Sequence, residues 1–150
     1  MDLTPDPTTW RVLIVDDEPD NLSLASDFLE FTGAATAKAG GADEGLEQVD
    51  LFKPNLILLD LDMPFVDGWD MHRQLRAMPN LHSVPIVAVT ALAMPDDADK
   101  VYTAGFDGYI TKPFRVRELL DALSACIETF IRNYDWQHAL PPESHAPSSV

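Results

Sequence analysis

Acidic, hydroxyl and ammonium side chains stand directly after several short apolar runs of this sequence. Asp16 and Asp17 follow one run, Asp60 ends another, and Thr90 and Lys112 end two more. Two carboxylates about 4 Å apart repel by roughly 4 kcal/mol at an effective dielectric constant near 20, so converging acids need a cation. Mg²⁺ suits them, because it takes few carboxylates and keeps waters that a phosphate can displace. The set predicts phosphoryl transfer, with a nucleophilic carboxylate, a metal, a hydroxyl and an ammonium.

Each of these residues also has a simpler interpretation. The acids at 16 and 17, taken alone, are typical of a helix start, where they complement the helix dipole. Thr90 could cap the helix that follows it, and Lys112 could be a solvated loop lysine. Asp60 favours the chemical interpretation, because an acid at the end of an apolar, buried strand is not needed for capping.

The apolar runs alternate with stretches of helical spacing, and this alternation predicts the fold. The runs at 12–15, 34–38, 56–59, 86–89 and 108–111 are the expected strands. Five β–α units predict an α/β protein with a doubly wound five-stranded parallel sheet and five helices. Ligands bind at the carboxyl ends of such strands, so the polar residues should converge on one edge of the sheet.

Four segments in order carry a resemblance to a known family. They read VLIVDDEP around Asp16, LILLDLDMP around Asp60, IVAVTA around Thr90 and DGYITKPF around Lys112. A lone pair of aspartates is weak evidence, but this ordered set over residues 10–132 closely resembles the receiver domain of bacterial two-component response regulators. The resemblance implies the flavodoxin-like strand order 2-1-3-4-5.

The resemblance also implies an acceptor and a metal site. Asp60 would be the phosphoacceptor, taking the phosphoryl group from a phosphohistidine. Asp17 and Asp60 would bind Mg²⁺ directly. Asp16 would bind it mainly through water, and the backbone carbonyl of Asp62 would complete the protein ligands.

Phosphoryl binding and switching are implied in the same way. Thr90, the Ala91 amide and Lys112 would hold the phosphoryl oxygens, and Lys112–Pro113 would be a cis peptide. Thr90 would move inward on phosphorylation and Tyr109 would rotate into the vacated space. The output face would comprise helix 4, strand 5 and helix 5, that is residues 94–104, Tyr109 and residues 115–122. Asp62 and Leu92 stand at positions that tune loss of the phosphoryl group.

The implied function is that of a single-domain response regulator in a two-component or phosphorelay system. It would catalyse only its own phosphorylation and dephosphorylation, and so would not be an enzyme in the usual sense. Its partners would be a histidine kinase or histidine phosphotransfer protein and a downstream protein effector. A homodimer through the helix 4/strand 5/helix 5 face or the long last helix is a further expectation.

Three other interpretations stay open at this point. One is a receiver-like interaction module without phosphorylation, and another is a receiver from a hybrid kinase. The third is a magnesium-dependent phosphatase of the haloacid dehalogenase class. Pro64 stands where that class has Thr or Val, and its paired acids should follow the lysine rather than precede it.

Composition and charge limit the partners and the cellular location that can be expected for this protein. The net charge of −15 over 150 residues repels nucleic acid and anionic membranes. No segment resembles a signal peptide or a membrane span, so a cytoplasmic protein is expected. Residues 1–9 are expected to be a disordered tail, 10–132 the receiver domain, and 133–150 a helix extension with a disordered C-terminal tail. The four histidines are expected to be surface or half-buried residues, and Cys126 a buried helix thiol.

Overall fold

Strands and helices alternate along the chain. The computed structural model describes residues 3–63, 68–91 and 95–139. The strands are β1 Arg11–Val15, β2 Ala35–Ala39, β3 Leu56–Asp60, β4 Ile86–Thr90 and β5 Gly108–Thr111. The helices are α1 Pro19–Phe31, α2 Ala42–Phe52, α3 Gly68–Arg76, α4 Pro95–Thr103 and α5 Val116–Ala139, with short 3₁₀ helices at Pro7–Thr9 and Pro79–Leu81.

All five strands pair in parallel, in the order β2-β1-β3-β4-β5. The predicted fold and strand order are therefore confirmed. β3 and β4 are buried along their whole length, as expected for central strands covered on both faces. β2 lies at one edge and is only half-buried over most of its length, which explains its weaker apolar signal in the sequence.

Helices cover both faces of the sheet, because successive strand residues point to opposite sides. Val12 and Ile14 face the core under α1 and α5, whereas Leu13 and Val15 face the core under α2, α3 and α4. Because the strands run parallel, the carboxyl ends of all five meet at one edge, where the polar residues lie.

Residues 3–9 pack against the domain. The prediction that residues 1–9 form a disordered tail is therefore wrong for this part of the chain. Leu3 is 3% exposed and belongs to the core under α1 and α5. The Trp10 indole donates to the Thr4 carbonyl at 2.8 Å, and Asp6 accepts from the Thr8 amide. The Ser124 hydroxyl of α5 donates to the Pro5 carbonyl at 3.4 Å. Burial of Leu3 and Trp10 offsets the ordering entropy of this short segment. Residues 1–2 and 140–150, also expected to be disordered, lie outside the described residues.

Close packing of β5 against α5 yields a first testable prediction. A Cβ added to Gly108 would lie 2.3 Å from the Cys126 sulfur and 3.3 Å from a Val87 methyl. Cys126 is half-buried, not fully buried as expected. We expect Gly108→Ala to lower the free energy of unfolding by about 2 kcal/mol, since the added methyl group would overpack this corner. Urea unfolding measures the loss.

The double variant Gly108→Ala/Cys126→Ala provides the control, because it removes the sulfur that the new methyl group meets. It should regain part of the loss caused by Gly108→Ala alone. A double variant whose loss equals the sum of the two single losses would show that Cys126 does not limit the space at Gly108.

Candidate functional site

Three carboxylates meet at the carboxyl edge of the sheet. Asp16 and Asp17 follow β1, and Asp60 ends β3, which is the strand beside it. One oxygen from each lies within 4.8 Å of the others. Asp16 and Asp60 are buried, whereas Asp17 is exposed. The structure thus brings together three of the four aspartates that were expected to bind the metal; the fourth, Asp62, was expected to bind it through its backbone carbonyl.

Local turns hold the two buried carboxylates in place. Asp16 Oδ1 accepts the Glu18 amide at 3.0 Å, and Asp60 Oδ1 accepts the Asp62 amide at 2.8 Å. Aspartate favours this bond to the amide two residues ahead, and the bond fixes its side-chain direction. Burial raises the pKa of Asp16, the Glu18 amide acts in the opposite direction, and the Asp60 charge raises it further. Negative charge is thus concentrated where little water screens it.

Lys112 supplies the positive charge at this edge. Its Nζ lies 2.9 Å from Asp60 Oδ2 and 3.5 Å from Asp16 Oδ2. Burial alone would lower the pKa of Lys112, but the hydrogen bond and charge of Asp60 outweigh it and the pKa is raised. Lys112 therefore stays an ammonium. The Lys112–Pro113 peptide is cis, as the resemblance implied.

Thr90 and Ala91 follow on the next strand, and both donate to one carboxylate. The Thr90 hydroxyl donates to Asp62 Oδ1 at 2.8 Å, and the Ala91 amide donates to Asp62 Oδ2 at 2.6 Å. Sequence reasoning gave Asp62 a role only through its backbone carbonyl and as a position that tunes phosphoryl loss. The contact of its side chain with Thr90 could not be read from spacing, because it depends on a turn after β3.

Tyr109 lies half-buried on the same face of the sheet as Thr90. Ala88 pairs with Tyr109 and Thr90 with Thr111 in the β4–β5 ladder. Tyr109 packs on the core under α2, α3 and α4, which includes Ala88. Leu92, expected to tune loss of the phosphoryl group, and Met94, the expected start of the output face, lie outside the described residues.

Gly68 is a positioning residue that sequence reasoning missed. It begins α3, and a Cβ at this position would lie 3.2 Å from both the Asp60 carbonyl oxygen and the Leu61 Cα. Because glycine has no Cβ, the start of the helix can approach the backbone of Asp60 this closely without displacing it. The Asp-Gly pair at 67–68 was a weak signal for this approach.

A cavity of about 370 Å³ opens beside the carboxylates. Its walls are mostly apolar and are formed by α1, the central strands and the start of the segment after β5. Asp16, Asp60 and Lys112 line its polar end, and Leu24, Leu58 and Phe114 line the rest. The cavity therefore adjoins the Asp60 carboxylate.

Comparison with known proteins identifies the family. The family described as "response regulator receiver domain" matches residues 12–124, a span that contains every site residue described above. The chain belongs to the response regulator receiver family. Members of this family act in two-component systems, and they are generally not enzymes in the usual sense.

Individual relatives agree with this assignment. The receiver is 32% identical to the polar-differentiation response regulator DivK of Brucella ovis over 117 residues, which is 78% of this chain and 95% of DivK. It is similar to a CheY-like receiver structure from Methanospirillum hungatei, with a TM-score of 0.71, 28% identity, and coverage of 82% and 97% of the two chains. It is also similar to the BeF3-activated receiver domain of Klebsiella pneumoniae RstA, with a TM-score of 0.70, 26% identity, and coverage of 78% and 97%.

Membrane-spanning segments are not found in the part of the chain that the structure describes. No helix there combines the length and the apolar character needed to cross a bilayer.

Proposed function

We propose that this receiver accepts a phosphoryl group from a phosphohistidine onto Asp60. One observation carries the proposal: a buried carboxylate lies 2.9 Å from the Lys112 ammonium, with two further acids within 4.8 Å. A nucleophilic carboxylate needs neighbours that neutralise the charge of an incoming phosphoryl group. The apolar wall of the adjoining cavity would limit the access of competing water.

The transfer is a displacement at phosphorus. A carboxylate oxygen of Asp60 forms the new bond, the phosphorus–nitrogen bond to histidine breaks, and the imidazole leaves with the electron pair of that bond. Lys112 neutralises charge on the phosphoryl oxygens, and the Thr90 hydroxyl and Ala91 amide donate hydrogen bonds to them. Loss of the group is the attack of water on the same phosphorus. The receiver thus acts catalytically only on itself.

Mg²⁺ is the cofactor that we propose for this reaction. Asp16, Asp17 and Asp60 offer hard oxygen ligands close enough together to share one ion, and the Asp62 backbone carbonyl completes the expected set. The ion would supply charge neutralisation at the transferring phosphoryl group. The donor set fits a small divalent cation, because it contains only carboxylate and carbonyl oxygens.

Signal output is proposed to use the face made by α4, β5 and α5. Thr90 would be drawn towards the phosphoryl group, and Tyr109, on the same side of the sheet, would follow it. A histidine kinase or histidine phosphotransfer protein would be the donor, and a protein effector or a second copy of the chain would read the face. The setting that suits these partners is the cytoplasm.

Intact mass spectrometry tests the proposal directly. Incubation with acetyl phosphate and Mg²⁺ should add one phosphoryl group to the wild type, and chelation with EDTA should abolish the gain. Asp60→Asn should show no gain, whereas Asp20→Asn, which alters an exposed acid in the first turn of α1, should behave as wild type. No gain in any protein would favour the interaction module without phosphorylation. Turnover of phosphate monoesters would favour the phosphatase.

A further inference from the structure

The Asp62 carboxylate occupies two hydrogen-bond donors at once. Oδ1 accepts the Thr90 hydroxyl at 2.8 Å, and Oδ2 accepts the Ala91 amide at 2.6 Å. A carboxylate and a phosphoryl group both present a pair of anionic oxygens, so either can satisfy these donors. The Thr90 side chain is itself fully buried, so its hydroxyl depends on partners within the protein.

The backbone after β3 holds Asp62 in this position. The Leu61 amide donates to the Val89 carbonyl at 2.9 Å, which continues the pairing of β3 with β4 by one residue. The Asp62 amide then turns back to Asp60 Oδ1 at 2.8 Å. This turn places residue 62 beside the end of β4, where Thr90 and Ala91 lie. These two bonds thus hold both the Asp60 carboxylate and the Asp62 carboxylate in place. Asp62 then faces Thr90 and Ala91, the groups expected to bind the phosphoryl oxygens.

We propose that the Asp62 carboxylate fills the phosphoryl-oxygen subsite of the unphosphorylated receiver and competes with the phosphoryl group for Thr90 and Ala91. The inference rests on the proposed function of Asp60. Asp62 must leave both donors before phosphoryl oxygens can take them, so it acts as an internal inhibitor of the phosphorylated state. Its side chain is exposed, so it has solvent to move into.

Two variants of Asp62 separate this role from a general effect of charge. Asp62→Ala removes both acceptor oxygens, and Asp62→Asn keeps the side-chain shape while removing the charge and one acceptor. Glu18→Gln is the matched control, because Glu18 is an exposed acid at the same edge whose side chain does not cap α1. Circular dichroism and thermal unfolding check that all the variants fold.

Beryllofluoride, a phosphoryl analogue, serves as the probe at saturating Mg²⁺. By ¹⁹F NMR, Asp62→Ala should bind it about tenfold more tightly than wild type, since the carboxylate that competes for both donors is gone. Asp62→Asn should bind with intermediate affinity. Without the probe, the Ala91 amide proton should shift upfield in both Asp62 variants and stay unchanged in Glu18→Gln.

Two results would overturn the proposal. One is an affinity gain in the Asp62 variants no larger than that in Glu18→Gln, which would assign the effect to net charge. The other is an Ala91 amide resonance that does not respond to Asp62. Failure of the wild type to bind beryllofluoride with Mg²⁺, or equal binding by Asp60→Asn, would instead overturn the proposed function, and this inference with it.

Discussion

Replacing Lys112 with methionine should lower the free energy of unfolding by about 2 kcal/mol at neutral pH without Mg²⁺. The Lys112 ammonium lies 2.9 Å from Asp60 and 3.5 Å from Asp16, and both carboxylates are buried. Without the ammonium, two buried negative charges face each other unscreened. The loss is smaller than for a fully buried ion pair, because the Lys112 side chain is 21% exposed. Urea unfolding at pH 7 in EDTA measures it.

Mg²⁺ should restore more stability to Lys112→Met than it adds to wild type, since the ion replaces the missing positive charge. Phosphorylation of Asp60 by acetyl phosphate should nevertheless fall about 100-fold, because a donor to the phosphoryl oxygens is lost. Lys100→Met is the control: it removes the same charge from an exposed position on α4. Equal stability of Lys112→Met and wild type in EDTA would contradict the proposed electrostatic balance.

His72 should make the receiver sensitive to mild acid. It is buried, with 2% of its surface exposed, and its ring stacks on Phe106 with centroids 4.0 Å apart. The expectation of a surface or half-buried histidine is wrong here. Within the described ranges neither ring nitrogen has a hydrogen-bond partner. Burial first, and then the charge of Arg76, lower the pKa of His72 from 6.5 to about 4, while the nearby Gly105 backbone acts weakly in the opposite direction.

The sign of the effect follows from proton uptake. Between about pH 4 and 6.5 the unfolded chain binds a proton at His72 and the folded protein does not, so stability rises with pH. The contribution of the neutral His72 side chain to the free energy of unfolding is fully present above pH 6.5 and is lost as the pH falls towards 4. We expect a loss of about 2 kcal/mol by pH 5 and about 3 kcal/mol once the loss is complete below pH 4.

His72→Leu isolates this effect. Its free energy of unfolding should exceed that of wild type progressively more as the pH falls from 7 to 5, when both are followed by urea titration. Burial also raises the pKa values of Asp16 and Asp107. Both proteins contain these two groups, so their effects cancel when the stability of wild type is subtracted from that of His72→Leu. His82→Leu, at an exposed histidine, should show no such trend. Parallel pH profiles for wild type and His72→Leu would rule out a neutral buried imidazole.

The sheet could be predicted because its signals are local. Runs such as 56–59 and 86–89 are apolar throughout, and only strands covered on both faces need that composition. The convergence of Asp16, Asp60 and Lys112 followed, since parallel strands bring their carboxyl ends to one edge. The part of the site that could be predicted is therefore the part fixed by strand order.

Contacts that depend on loop conformation could not be predicted. The Asp62 side chain reaches Thr90 only because the turn after β3 continues one residue of pairing with β4. Composition alone hid the packing of residues 3–9, since prolines and threonines are typical of tails. There the burial of Leu3 and the hydrogen bond from Trp10 to Thr4 determine the conformation.

The order of the site residues along the chain has a consequence for synthesis. Asp16 follows β1, Asp60 ends β3, Thr90 ends β4 and Lys112 follows β5, so the ribosome adds them in that order. A chain emerging from the ribosome therefore carries an incomplete site until β5 has paired beside β4. Under the proposed function, a phosphodonor that meets a nascent chain would find Asp60 without its ammonium, and phosphorylation would mark domains that have finished folding.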